Sequence, residues 1–126
     1  MIINHVGDRL HWIGGAGDDL IAAYFSIGVT TFTSSIATVA PRLALKLWEL
    51  ADAGDWEELN ALLDHCVIPL YALRARRKGY EVSAMKVMMD MVGLNGGPVR
   101  PPLVNLRPDE EDELRTILAT WEKFLD

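Results

Sequence analysis

Two stretches hold residue types suited to binding a small ligand: Gly14-Gly15-Ala16-Gly17-Asp18-Asp19 and Thr33-Ser34-Ser35-Ile36-Ala37-Thr38. Glycines let a ligand approach the backbone, and the N–H groups that open a following helix can hold a carboxylate or phosphate. Asp18 and Asp19 would repel a phosphate, which counts against that anion. The plainer reading is a tight turn followed by hydroxyl caps, and spacing alone leaves both open.

Other reactive types are sparse. Four lysines, Lys46, Lys78, Lys86 and Lys123, are the candidates for imine chemistry. None follows a strand, and only Lys86 sits in the apolar context that favours a neutral amine. His5, His11 and His65 have no metal-ligand spacing, so no metal site is expected. Cys66 falls on an apolar helical stripe and reads as a small buried hydrophobe. The run Arg74-Ala75-Arg76-Arg77-Lys78 offers an anion or acidic-partner site, or simply cations in a last helical turn. Met85, Met88, Met89 and Met91 suit core packing, with an adaptable binding surface as the alternative.

The elements that must position these groups follow from pattern. Leu10–Ile13 and Val29–Thr33 read as strands, with a glycine-rich turn after the first. Asp18 or Asp19 is placed to cap a helix over Leu20–Phe25, and Gly28 to close it. A helix apolar on more than one side runs to about Ala53, is stopped by Gly54, and is expected to be covered on two faces. Strand, helix, strand, helix with short connections implies parallel strands. Two parallel strands are not a viable sheet by themselves. Either another segment completes the sheet or the strands do not form.

The remainder is helical. Asp55-Trp56-Glu57-Glu58 is a capping box, and Leu59, Leu62, Leu63, Cys66, Val67 and Leu70 share one face. Pro69 should kink that helix by crowding the carbonyl of His65. Gly79 ends it, Ser83 is placed to cap a helix from Ala84 to about Val92, and Gly93 follows. Pro108 suits a first turn, with Asp109-Glu110-Glu111-Asp112-Glu113 where the macrodipole favours acids. The pattern divides the chain into residues 1–53, with two strand–helix units, and a helical region, 54–126.

Composition narrows the class. Half of the 126 residues are apolar, enough for a core. No apolar run approaches the ~18 residues of a membrane span, and the start has no basic or long apolar leader. With a single cysteine, a cytoplasmic setting is expected. The net charge is −6, but the 109–113 run supplies five acids, so the rest of the chain balances at −1. Nothing basic marks a nucleic-acid surface.

Three segments also resemble a known family. Gly28-Val29-Thr30-Thr31-Phe32-Thr33-Ser34-Ser35-Ile36-Ala37-Thr38-Val39-Ala40-Pro41 resembles strand eight and the next loop of the dihydrodipicolinate synthase / N-acetylneuraminate lyase superfamily. Arg74-Ala75-Arg76-Arg77-Lys78-Gly79-Tyr80-Glu81-Val82-Ser83-Ala84-Met85-Lys86 and Gly97-Pro98-Val99-Arg100-Pro101-Pro102-Leu103 resemble segments of its 5-dehydro-4-deoxyglucarate dehydratase branch. Thr38 stands where those dehydratases tend to have Asn, and Phe32-Thr33 where they have Tyr-Ser.

The resemblance implies the C-terminal part of a (β/α)8 barrel, an α/β fold: its last two βα units, plus a helical tail, mostly helical in this chain. The family forms an imine between a strand-six lysine and a 2-keto acid, with a strand-five tyrosine relaying protons and no cofactor. In the dehydratase branch water and carbon dioxide leave 5-dehydro-4-deoxy-D-glucarate to give 2,5-dioxopentanoate. Complete enzymes of this kind are expected to be homo-oligomers. This chain would supply substrate-binding wall only, from Gly14, Gly15, Thr33, Ser34, Ser35 and Thr38, and would be inactive unless the rest of the barrel is supplied. The alternative is a non-catalytic helical protein that pairs through apolar faces with a like chain or a barrel.

Overall fold

The computed structural model describes residues 2–125. Its helices are α1 (Ile2–Val6), α2 (Ile21–Ser26), α3 (Pro41–Ala53), α4 (Trp56–Leu62), α5 (Ile68–Arg74), α6 (Tyr80–Met91) and α7 (Pro108–Ala119). Short 3-10 turns precede α2 (Asp18–Leu20) and α3 (Ile36–Thr38), and a π turn (Leu63–Val67) joins α4 to α5.

The two segments expected as strands, about 10–13 and 29–33, form no strand among the described residues. A single parallel bridge joins Gly14 to Phe32. Its two hydrogen bonds run from the Gly14 N–H to the Thr31 carbonyl and from the Thr33 N–H to the Gly14 carbonyl, both 2.8 Å. A parallel ladder becomes stable with further strands on both sides and cover on both faces. These segments have only each other, so pairing stops at one residue pair. The Tyr24 and Phe32 rings stack over it, centroids 6.5 Å apart.

Helix limits follow local chemistry. Pro41 opens α3 with its fixed φ, and Gly54 closes it at φ 72°, which lets the Gly54 N–H reach the Ala51 carbonyl. The Asp55 carboxyl accepts from the Glu58 N–H at 3.2 Å and caps α4. Pro69 has no N–H for the carbonyl of His65, and the chain widens into the π turn just before it rather than breaking. The Cys66 carbonyl within that turn accepts from Trp121 Nε1 at 2.8 Å.

Two expected caps are replaced. The Asp18 side chain does not cap α2 but is buried. Ser83 lies inside α6, which begins at Tyr80, and its hydroxyl donates to the Val104 carbonyl at 2.6 Å.

The core lies among α3 to α7. Leu43, Leu47, Leu59, Leu70, Leu73, Met88, Leu114 and Trp121 are fully enclosed. Each such side chain contributes about 1.5–3 kcal/mol of burial. Met85 and Met88 are core residues, as is Cys66, whose thiol burial pushes up from its ordinary value. The second apolar side of α3 is not covered: Leu45 is 59% exposed and Trp48 39%. The Trp48 indole N–H donates to the Thr30 carbonyl at 2.9 Å.

Glu110 is the buried acid of α7. Its Oε2 accepts from the Tyr80 hydroxyl at 2.7 Å and from the Arg107 N–H at 3.0 Å, and Arg107 Nη2 lies 3.1 Å from Oε1. Burial favours the neutral acid, but those hydrogen bonds and the guanidinium outweigh it and hold the carboxyl below its ordinary value. A group depressed in the folded state stabilises above its unfolded pKa and loses that contribution as pH falls through the folded one. Glu110→Gln should therefore lower the urea midpoint at pH 7, and its gap from the parent should close as pH drops below about 4.3.

Candidate functional site

The bridge at Gly14 sets the 14–19 turn beside the 33–38 turn, and α5 crosses beneath them. Gly15, Ala16, Gly17, Asp18, Thr33, Ser35, Tyr71 and Arg74 line a cavity of about 120 Å³. That is room for a few water molecules or one polar end of a small ligand.

Asp18 is its fixed point. Its side chain has no exposed surface. Oδ2 accepts from the Tyr71 hydroxyl at 3.0 Å and the Ser35 hydroxyl at 3.3 Å. The Asp18 N–H donates to the same Tyr71 oxygen at 2.7 Å. Oδ1 has no hydrogen-bond partner. Burial, and next the Asp18 charge, push the Tyr71 phenol up, so it stays a donor at neutral pH.

Arg74 completes the wall. Nη1 donates to Ser35 Oγ at 3.0 Å, and the guanidinium carbon lies 4.4 Å from the centroid of the Tyr71 ring. The group is half-buried and forms no ion pair among the described residues. Asp19, beside the cavity, is pushed up by burial, against a backbone hydrogen bond and the Arg74 charge. The Ala16 and Gly17 N–H groups both donate to the Tyr24 hydroxyl, at 2.7 and 3.0 Å.

Of the six residues expected at a ligand wall, Gly15, Thr33 and Ser35 line this cavity. Gly14 is buried in the bridge below it. Ser34 accepts from the Ala37 N–H at 3.0 Å and faces a separate apolar groove with Phe32, Pro41, Leu45 and Trp48. Thr38 is exposed and lies outside the cavity. Ser34 is thus a turn cap of the plainer kind, while the glycine turn and Ser35 belong to a cavity.

Sequence reasoning missed Tyr71 and read Arg74 only as part of the basic run 74–78, a candidate anion site. They are three residues apart on α5, hence on one face, and that spacing was the available signal. Inside the run 74–78 the residues divide. Arg74 turns to the cavity, whereas Arg76 makes a two-pronged pair with Glu113 at 2.7 and 2.8 Å. No group of three or more candidate metal ligands occurs among the described residues, and no described helix is long and apolar enough to cross a membrane. Lys86 is far from this chemistry: its Nζ donates to the Gly96 carbonyl at 2.6 Å. The arrangement presents one cation, one buried carboxyl with a free oxygen, and hydroxyls, a set suited to holding a polyol acid rather than to attacking it.

The model of the dihydrodipicolinate synthetase family matches residues 1–121. A probable 5-dehydro-4-deoxyglucarate dehydratase of Ralstonia nicotianae is 37% identical over 120 residues, 94% of this chain and 39% of that protein. One from Xanthobacter autotrophicus is also 37% identical, over 94% of this chain and 40% of that protein. The chain thus spans about two fifths of the length of these relatives. Among solved structures, dihydrodipicolinate synthase from Oceanobacillus iheyensis superposes with a TM-score of 0.79 at 28% identity, over 88% of this chain and 37% of that one.

Removing the Tyr71 hydroxyl should test the cluster. Tyr71→Phe leaves the Asp18 carboxyl with Ser35 as its single donor and should cost about 1–3 kcal/mol in urea unfolding.

Proposed function

The chain belongs to the dihydrodipicolinate synthetase family, and from that premise we propose that its residues form the C-terminal part of a (β/α)8 lyase acting on 2-keto acids. Residues 1–53 correspond to the last two βα units and 54–126 to the helical region that follows. The substrate is of the 5-dehydro-4-deoxyglucarate kind and loses water and carbon dioxide to give 2,5-dioxopentanoate. The single observation that carries this reading is the parallel bridge: ligands of such folds sit at the C-terminal ends of parallel strands, and the cavity lies immediately beyond the bridged residues.

Within that enzyme these residues bind and orient. Gly15 keeps its part of the first turn free of a side chain, so substrate can lie against backbone there, while Gly17 makes room for the Asp19 and Tyr71 side chains. Ser35 and Thr33 offer hydroxyls from the second turn. Tyr71 and Arg74, fixed to Asp18 and Ser35, close the far side. Formation of an imine needs a neutral amine facing the substrate ketone. None of the cavity-lining residues is a lysine. The amine and its proton relay therefore come from outside these elements, and this chain by itself does not turn over substrate.

A second reading, a non-catalytic helical protein that pairs through apolar faces, is favoured by the exposure of Leu45 and Trp48 beside Phe32 and Pro41. A discrete homodimer in native mass spectrometry, with Trp48 fluorescence shifted to the blue on association, would select it.

The placing of the imine-forming amine outside these residues is tested by trapping. Incubation with pyruvate and borohydride should leave the intact mass of the 126-residue chain unchanged. A reduced adduct on Lys86 would mean that these residues carry an imine-forming amine after all.

A further inference from the structure

The cavity contains two groups for which the cluster itself has no use. Asp18 Oδ1 is buried and unpartnered on a side chain with no exposed surface. An unmade hydrogen bond of that kind costs about 1–3 kcal/mol, so a donor belongs there. Arg74 is the second. It spends one N–H on Ser35, lies against the Tyr71 ring, and forms no ion pair among the described residues, although its charge reaches the nearby Asp19 carboxyl. The other arginines with such fixed geometry, Arg76 and Arg107, are both paired with acids. A guanidinium held by stacking and one hydrogen bond keeps its remaining donors pre-aimed for a planar anion.

We propose that Asp18 and Arg74 together read an α-hydroxycarboxylate: the guanidinium takes the carboxylate and Oδ1 accepts the hydroxyl on the adjacent carbon. Both groups line the same small cavity, whose volume fits one CHOH–COO⁻ end and not a whole sugar acid. Repulsion between Asp18 and the incoming carboxylate is moderated because Oδ2 already receives two hydroxyl donors, and the ligand presents a hydroxyl, not an oxygen anion, to Oδ1. The inference deepens the lyase reading and rests on it for the substrate: 5-dehydro-4-deoxyglucarate carries a keto acid at one end and CHOH–COO⁻ at the other. The keto-acid end, where the imine forms, would then face the rest of the barrel, and Arg74 and Asp18 would hold the CHOH–COO⁻ end, which gives up carbon dioxide because 2,5-dioxopentanoate keeps the keto-acid carboxylate. They would separate diacids of this kind from 2-keto acids ending in an alcohol.

The test is ligand titration of the whole chain followed by amide shifts in two-dimensional NMR, with D-glycerate as the probe. D-glycerate should move the Gly15, Gly17, Thr33 and Ser35 amides in a saturable way. 3-Hydroxypropionate, which lacks the α-hydroxyl, and glycerol, which lacks the carboxylate, should each bind about tenfold more weakly or not at all. This ligand series needs no variant. Arg74→Gln should weaken D-glycerate by about tenfold, and Arg74→Lys, which keeps the charge without the fork, should recover part of it. Equal binding of D-glycerate and 3-hydroxypropionate, or no saturable shift at those four amides, would overturn the proposal. Either result leaves the borohydride experiment untouched, and an adduct on Lys86 would overturn the placing of the imine-forming amine outside these residues without altering D-glycerate binding.

Discussion

A carboxyl with no exposed surface must be given donors by its neighbours, and Asp18 draws its donors from far along the chain. Tyr71 lies 53 residues away and Ser35 lies 17 away. Satisfying that one side chain therefore fixes three pieces of backbone at once: the glycine turn, the hydroxyl turn and α5. The Gly14 bridge aligns the two turns but contributes only two hydrogen bonds. The Asp18 cluster is what ties both turns to α5. The same demand makes the cavity. Donors crowd Oδ2 from one side, Arg74 is drawn in over Ser35 and Tyr71, and a small polar space remains between them.

Much of the helical part was legible because helices are specified locally. Glycine at positive φ stops α3 at Gly54, and Pro108 opens α7. The spacing of Leu59, Leu62, Leu63, Cys66, Val67 and Leu70 predicts a single buried face, and all but the partly buried Leu62 are buried across a helix that changes to a π turn midway. The strands were not legible in the same sense. Val29 to Thr33 has the side chains of a strand, but a parallel strand is a property of its neighbours as well as of its own sequence. With one partner, pairing contracts to Gly14 and Phe32.

The site divides along the same line. Gly15, Thr33 and Ser35 were visible as turn residues because glycine and hydroxyls in short loops carry a local signal. Asp18 looked like a helix cap by its position, since local competition for the first N–H groups usually decides the fate of such a residue. Here a distant tyrosine wins. Tyr71 was hidden for the complementary reason. On α5 it reads as part of an ordinary turn ending in cations, and only the approach of the two loops gives it and Arg74 common partners.

Ser83 makes the point from the opposite side of the molecule. It has the residue type of a cap and stands near a helix start, yet its hydroxyl reaches the Val104 carbonyl of the stiff connection before α7. The helix starts earlier, at Tyr80, because Tyr80 is held by Glu110 across the core. In both places a buried hydrogen bond between remote residues displaces the local choice. The two differ in what is left over. Among the described residues Glu110 has both oxygens engaged, one by Tyr80 and the Arg107 N–H and the other by the Arg107 guanidinium, so that node is closed and purely structural. Asp18 has one oxygen engaged and one not, and an unpaired arginine beside it. A buried polar cluster that its own chain leaves incomplete has a place for a ligand, and this is why chemistry is assigned to the Asp18 end of the molecule and not to the Glu110 end.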